Sequence, residues 1–167
     1  VAVAKELGAS GVRCIVDWSV EEDEDERAWD ANARRKAELL ERAAAALGPG
    51  AAFMPVKLTA LLSPGLLERL AALGGEGGDA AVLREPRAGL SSQDVRLFDE
   101  AIERLSLLCE AARRTGVPLL LDAEQSHRQL AVHAIARELQ RRFNVGGAAV
   151  VYDTVQMYLY ASDARLP

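Results

Sequence analysis

Short apolar runs alternate with long stretches of helical periodicity along this chain. "VRCIVDWS" at 12–19 carries β-branched Val12, Ile15 and Val16 and reads as a strand ending at Asp17. "AFMPVKL", "VPLLLDAE" and "AAVVYDTV" read as three more strands, although Pro55 is awkward inside a central one. Between them lie helical patterns. "AVAKELGASG" predicts the last turns of a helix stopped by glycine. Residues 25–47 predict a long helix, and "SPGLLERLAAL" one capped by Ser63 with Pro64 in its first turn. In "SSQDVRLFDEAIERLSLLCEAARRTG", Ser91 and Asp94 resemble a capping box. There Phe98, Ile102, Leu105, Leu108 and Cys109 line one face, and Gly116 closes the helix. "QSHRQLAVHAIARELQRRFN" predicts the next helix, and "TVQMYLYASDARL" the start of another.

Apolar strands alternating with helices predict an α/β fold with a parallel sheet covered by helices. Periodicity does not decide between an open sheet and a (β/α)8 barrel, and four strands are half a barrel, which cannot close by itself. "GGEGGDAAVLREPRAGL" at 74–90 lacks a hydrophobic period and reads as a flexible surface insertion within a single domain.

Composition narrows the function. With 167 residues, half of them hydrophobic, one ordinary domain can build a core. A net charge of −5 argues against a nucleic-acid surface. The acidic run "EEDEDE" at 21–26 reads as a solvated helix start, because adjacent acids do not converge on one ion. Cys14 and Cys109 share no metal-ligand spacing and read as buried free thiols. No apolar run has the length of a membrane span. No G-x-x-x-x-G-K-[ST] phosphate loop occurs.

The candidate chemistry sits at the strand ends. In a parallel sheet the residues just past the carboxyl ends gather at one face. These are Asp17, Lys57, Asp122 with Glu124, and Asp153 through Gln156. Adjacent strands lie about 4.8 Å apart, so Lys57 and Asp122 can face one ligand. A lysine there can pair a substrate carboxylate, and an aspartate can pair a cation or take a proton. Asp122 and Glu124 would point the same way if the strand ran that far. Plainer readings stand beside these: Lys57–Asp122 as a structural ion pair, and Asp17 as the cap of the next segment. His127 and His133, six apart on one helix, fall on different faces and read as surface or supporting residues. Tyr152, Tyr158 and Tyr160 read as core or rim.

Several motifs occur together in order. "VKLTAL" at 56–61, "LLLDAEQS" at 119–126, "RELQRRFN" at 137–144 and "VYDTVQMYL" at 151–159 closely resemble the proline dehydrogenase family, the flavin-dependent proline oxidases. "GVRCIVDWSVEE" at 11–22 resembles that family's first barrel strand. The stretch before the third strand looks most like the eukaryotic branch, with its helical insertion there. The resemblance implies a partial (β/α)8 TIM-like barrel, about the first four βα units. It implies non-covalent FAD, oxidation of L-proline to pyrroline-5-carboxylate, and electrons passed to a quinone. It also implies a mitochondrial setting, with peripheral association on the matrix side of the inner membrane.

By motif, Lys57 would hold the proline carboxylate and Asp122 would sit at the catalytic centre. Ala123 would lie against the flavin, Gln156 would hydrogen-bond its ring, and Glu124 would brace the site from behind. The family often has Asn or Thr near Asp153 and Tyr near Val155. The family's later half supplies arginines for the flavin and the proline carboxylate. The arginine pairs at 113–114 and 141–142 lie at helix ends and are not that clamp. The chain is therefore expected to be the N-terminal half of a barrel and not a competent enzyme alone. Two other readings follow from the same residues: a non-catalytic truncated paralogue that binds a partner, and a different carboxylate-binding TIM-barrel enzyme.

Overall fold

A four-stranded parallel sheet in the order β1-β2-β3-β4 organises the chain. The computed structural model describes residues 2–20, 25–48, 51–77 and 89–159. Along it run α1 (Ala2–Ala9), β1 (Cys14–Ile15), α2 (Glu26–Leu47), β2 (Ala51–Val56) and a 3-10 turn (Leu58–Ala60). Then come α3 (Pro64–Gly77), α4 (Ser92–Thr115), β3 (Leu119–Leu121), α5 (Gln129–Phe143) and β4 (Val151–Asp153). The strand order follows the chain order without a reversal. A doubly wound sheet needs such a reversal; a barrel does not.

Alternation along the strands separates two faces. Met54, Val56, Leu119, Leu121 and Val151 join one core with Leu40 of α2, Leu66, Leu67 and Leu70 of α3, Leu105 and Leu108 of α4, and Ile135 and Leu139 of α5. The alternate residues Phe53, Pro55, Leu120 and Tyr152 are less buried. Tyr152 keeps 39% of its surface, and Ile15, the register partner of Phe53, keeps 58%. Phe53 and Tyr152 meet edge to face at 5.2 Å on this open side.

Pro55 is tolerated in β2 for a reason that lies in its neighbours. Met54 donates its N–H to Pro118 O, and Val56 O accepts from Asp122 N–H, so those residues serve β3. Phe53 O accepts from Val16 N–H and serves β1. The missing N–H of Pro55 therefore falls on the β1 side, just past the two-residue ladder. Its carbonyl accepts from Lys36 Nζ instead, at 3.2 Å.

The helices start and stop where local chemistry directs. Asp25 caps α2 by accepting from Arg27 N–H, and Ser91 and Asp94 form a reciprocal capping box on α4. Arg69 and Ser91 hold the Asp94 carboxyl below the usual carboxylate range. Gly116 ends α4 at φ +69°, a left-handed conformation that favours glycine. On α4, Phe98, Leu105, Leu108 and Cys109 are buried and Ile102 packs partly against them, as the periodicity predicts. Burial pushes the Cys109 thiol up to about 12, whereas Cys14 is only partly buried.

Four expectations about the elements need correction. Helix α3 continues to Gly77, into the stretch read as a loop from residue 74; residues 78–88 lie outside the described residues. The outer strands are shorter than their apolar runs, because β1 has a neighbour only in β2 and breaks register between Cys14 and Ile15. Helix α5 begins at Gln129 rather than Gln125, after a turn in which Arg128 N–H donates to Gln125 O. After β4 the chain makes a turn, with Leu159 N–H donating to Gln156 O, and forms no helix through Leu159. Tyr160 and residues 21–24 of the acidic run also lie outside the described residues.

Removing the Ser91 hydroxyl takes away an acceptor for Asp94 N–H at the start of α4. The expected result for Ser91→Ala is a loss of about 1 kcal/mol. Urea unfolding of the full chain would read it as a lower midpoint with an unchanged slope.

Candidate active site at the strand ends

The β2–β3–β4 register sets Val56, Leu121 and Asp153 at one level. Lys57 and Asp122, each the next residue, therefore emerge side by side. Asp122 N–H extends the ladder by one bond to Val56 O, at 3.0 Å. Both residues are half-buried, at the upper end of the open face that carries Pro55 and Leu120. Burial raises the Asp122 carboxyl above its ordinary range; the Lys57 charge opposes that, Asp17 adds to it, and Lys36 opposes it. Charges from the ends of β1, β2 and β3 thus meet at Asp122.

Glu124 does not share the direction of Asp122 by strand parity, because β3 stops at Leu121. Its carboxylate reaches Thr59 instead, accepting from the hydroxyl at 3.1 Å and from N–H at 3.4 Å. Its backbone is held on both sides of Cα. Glu124 N–H donates to Gln129 Oε1 at 2.7 Å, and Glu124 O accepts from Gln156 Nε2 at 3.1 Å. Ala123 therefore directly precedes the residue whose carbonyl Gln156 holds.

Asp153 departs from the strand-end group. Its level in β4 matches Leu121, so its side chain enters the helix layer and meets His133 Nδ1 of α5 at 2.6 Å. Asp17 also pairs with Lys36 Nζ, at 3.2 Å. Thr154 Oγ1 is buried and has no hydrogen-bond partner among the described residues. It lies between Asp153 and Gln156, so the end of β4 carries an unmet polar group.

Two participants, Lys36 and Gln129, were missed in the sequence. Lys36 is 2% exposed, and its ammonium donates to Asp17 Oδ1, Trp18 O and Pro55 O, tying β1 to β2 at their carboxyl ends. Its signal was legible: Trp29, Asn32, Ala33, Lys36, Leu40 and Ala43 form one buried stripe of α2, with a lysine inside it. Gln129 and His133 are buried one turn apart on α5. The two histidines do not share a helix, because His127 lies in the turn before α5, exposed beside Glu68. His133, however, is interior. The paired arginines at both helix ends meet Glu110, Glu41 and Glu138, away from the strand ends. Among the described residues no group of three His, Cys, Asp or Glu converges to hold a metal. No described helix is long and apolar enough to cross a membrane.

Sequential parallel strands covered by helices, with a lysine and a partly buried aspartate past adjacent strand ends, define an α/β protein with a candidate site at the carboxyl ends of its strands. The family model described as proline dehydrogenase matches residues 1–167, and the chain belongs to that family. It is 25% identical to proline dehydrogenase 1, mitochondrial, of Dictyostelium discoideum, over 93% of this chain and 31% of that protein. It is 28% identical to the carbapenem antibiotics biosynthesis protein CarD of Pectobacterium carotovorum, over 92% of this chain and 36% of that one. A probable mitochondrial proline dehydrogenase of Schizosaccharomyces pombe is 31% identical over 64% of this chain and 22% of its own length. The chain spans about a third of the first two relatives.

The raised Asp122 carboxyl makes a prediction about stability. Its folded form holds a proton to higher pH than the unfolded chain does. Stability therefore falls as pH rises from about 3.9, the unfolded value, through the folded one, and ionised Asp122 is a net cost above that. Asp122→Asn should raise the urea midpoint at neutral pH, and the gain should shrink as the pH is lowered toward 4. A gain that persists unchanged in acid would contradict this environment for Asp122.

Proposed function

We propose that this chain supplies the first sector of a (β/α)8 barrel in a flavin-dependent proline oxidase that converts L-proline to pyrroline-5-carboxylate. The juxtaposition of Lys57 and Asp122 past β2 and β3, on the face away from the helices, carries this reading. Sequential strand order and helix packing against one face support the barrel, since a doubly wound sheet carries helices on both faces. The helix pair α3 and α4 between β2 and β3 supports the insertion of the eukaryotic branch.

In this reading Lys57 holds the proline carboxylate as a point charge on a flexible stem. Asp122 pairs the ring nitrogen, and its carboxyl, raised by burial, is suited to take the proton from that nitrogen. Glu124 braces the loop through Thr59. The residues fit a flavin on two observations: Gln156 is bonded to the carbonyl of Glu124, the residue after Ala123, and Thr154 Oγ1, two residues before Gln156, is unmet. Gln156 would hold the flavin ring, and Ala123, with only a methyl, would let it approach the DAE loop. Bound FAD would supply a two-electron acceptor for the hydride on the ring carbon beside nitrogen. The mitochondrial names of the Dictyostelium and Schizosaccharomyces relatives support that compartment. A quinone acceptor and peripheral contact with the matrix side of the inner membrane complete the proposal.

Anaerobic mixing of the full-length barrel that carries this sector with proline tests it. Asp122→Ala should keep its flavin and lose proline-dependent bleaching. Lys57→Met should raise KM for proline by about tenfold or more, with a smaller effect on kcat. Retained bleaching in Asp122→Ala would sink the role of Asp122.

A further inference from the structure

Two buried residues of α5, Gln129 and His133, lie in the helix layer and bond to Glu124, to each other and to Asp153. We propose that they are positioning residues, a buried relay that fixes the flavin-facing loop from behind. The inference rests on the reading of Ala123 and Gln156 as flavin contacts.

The relay has one consistent set of donors. Glu124 N–H can only donate, and its partner is Gln129 Oε1 at 2.7 Å. That orients the amide, so Gln129 Nε2 is the donor toward His133 Nε2 at 3.3 Å. His133 Nε2 then has to be the lone-pair nitrogen. The ring proton sits on Nδ1 and is donated to Asp153 Oδ2 at 2.6 Å. Asp153 Oδ1 in turn accepts from Thr154 N–H at 2.8 Å. A second proton on His133 would set two donors, its Nε2–H and the Gln129 amide, against each other.

The consequence reaches the site. Glu124 is held by Gln129 at its N–H, by Gln156 at its carbonyl, and through its side chain by Thr59. Ends of β2, β3 and β4 are thereby joined through α5. His133 is 2% exposed and Gln129 5%, so water does not replace a lost partner. Freeing the Glu124 N–H lets the Ala123–Glu124 peptide turn, which moves Ala123 and loosens the Glu124 carbonyl that Gln156 holds.

The test uses the full chain loaded with flavin. Gln129→Leu removes the acceptor for Glu124 N–H. The flavin dissociation constant, read by titration of the apoprotein, should rise about tenfold. The visible flavin spectrum should shift and kcat should fall, while KM for proline stays within about twofold. Gln129→Glu, which keeps an oxygen for that N–H, should restore most of the flavin affinity. Should Gln129→Leu fail to fold, His133→Asn takes its place. It keeps an N–H toward Asp153, loses the nitrogen facing Gln129, and should shift flavin affinity and spectrum in the same direction. A variant with a lower Tm but wild-type flavin affinity and spectrum overturns the relay and leaves a purely structural role. A wild-type full chain that binds no flavin takes down the underlying reading, and the relay with it.

Discussion

The parallel register of β2, β3 and β4 is the constraint on which the site depends. A shift of one residue in any of these strands would exchange its two faces. Val56, Leu121 and Asp153 stand level, so the residues that follow leave the sheet together. The register is pinned from the helix side by the buried row of Met54, Val56, Leu119, Leu121 and Val151. Lys57 and Asp122 are placed by that packing. The same rule sends Asp153 the other way, into α5, where it meets His133.

Buried charge is spent sparingly around this face, and each instance has a structural answer. Lys36 lies in the core, yet its ammonium has three acceptors. They include the carbonyl that Pro55 presents where the ladder to β1 has ended. Arg104, also buried, donates to Asp30 and to Leu61 O. Asp122 differs: burial dominates over its cationic neighbours and holds its carboxyl high. A group kept against its ordinary preference at the mouth of a parallel sheet is a reasonable mark of a working site.

Much of the fold was legible because its signals are local. Ser91 with Asp94, Gly116 and the periodic face of α4 each have a physical effect within one or two turns. The strand-end group was legible in part, because topology alone gathers such residues. What escaped the sequence depends on pairs far apart in the chain. Lys36 meets partners 18 and 19 residues away, and Glu124 reaches Thr59 across 65. Side-chain identity does not encode those meetings. The lysine within the apolar stripe of α2, and Gln129 one turn before His133 in an otherwise alanine-rich buried stretch, were signals of buried polar work. The helix expected after β4 does not begin by Leu159, because "TVQMYL" opens with a turn.

The central claim is that Lys57 and Asp122 receive one cyclic amino acid between the ends of β2 and β3. A crystal structure of the full chain with flavin and an unreactive five-membered cyclic carboxylate tests it most directly. The account predicts the carboxylate at about 3 Å from Lys57 Nζ, with the ring beside Asp122 and Gln156 on the flavin. A ligand bound elsewhere, with Lys57 and Asp122 closed on each other as a plain ion pair, would contradict it.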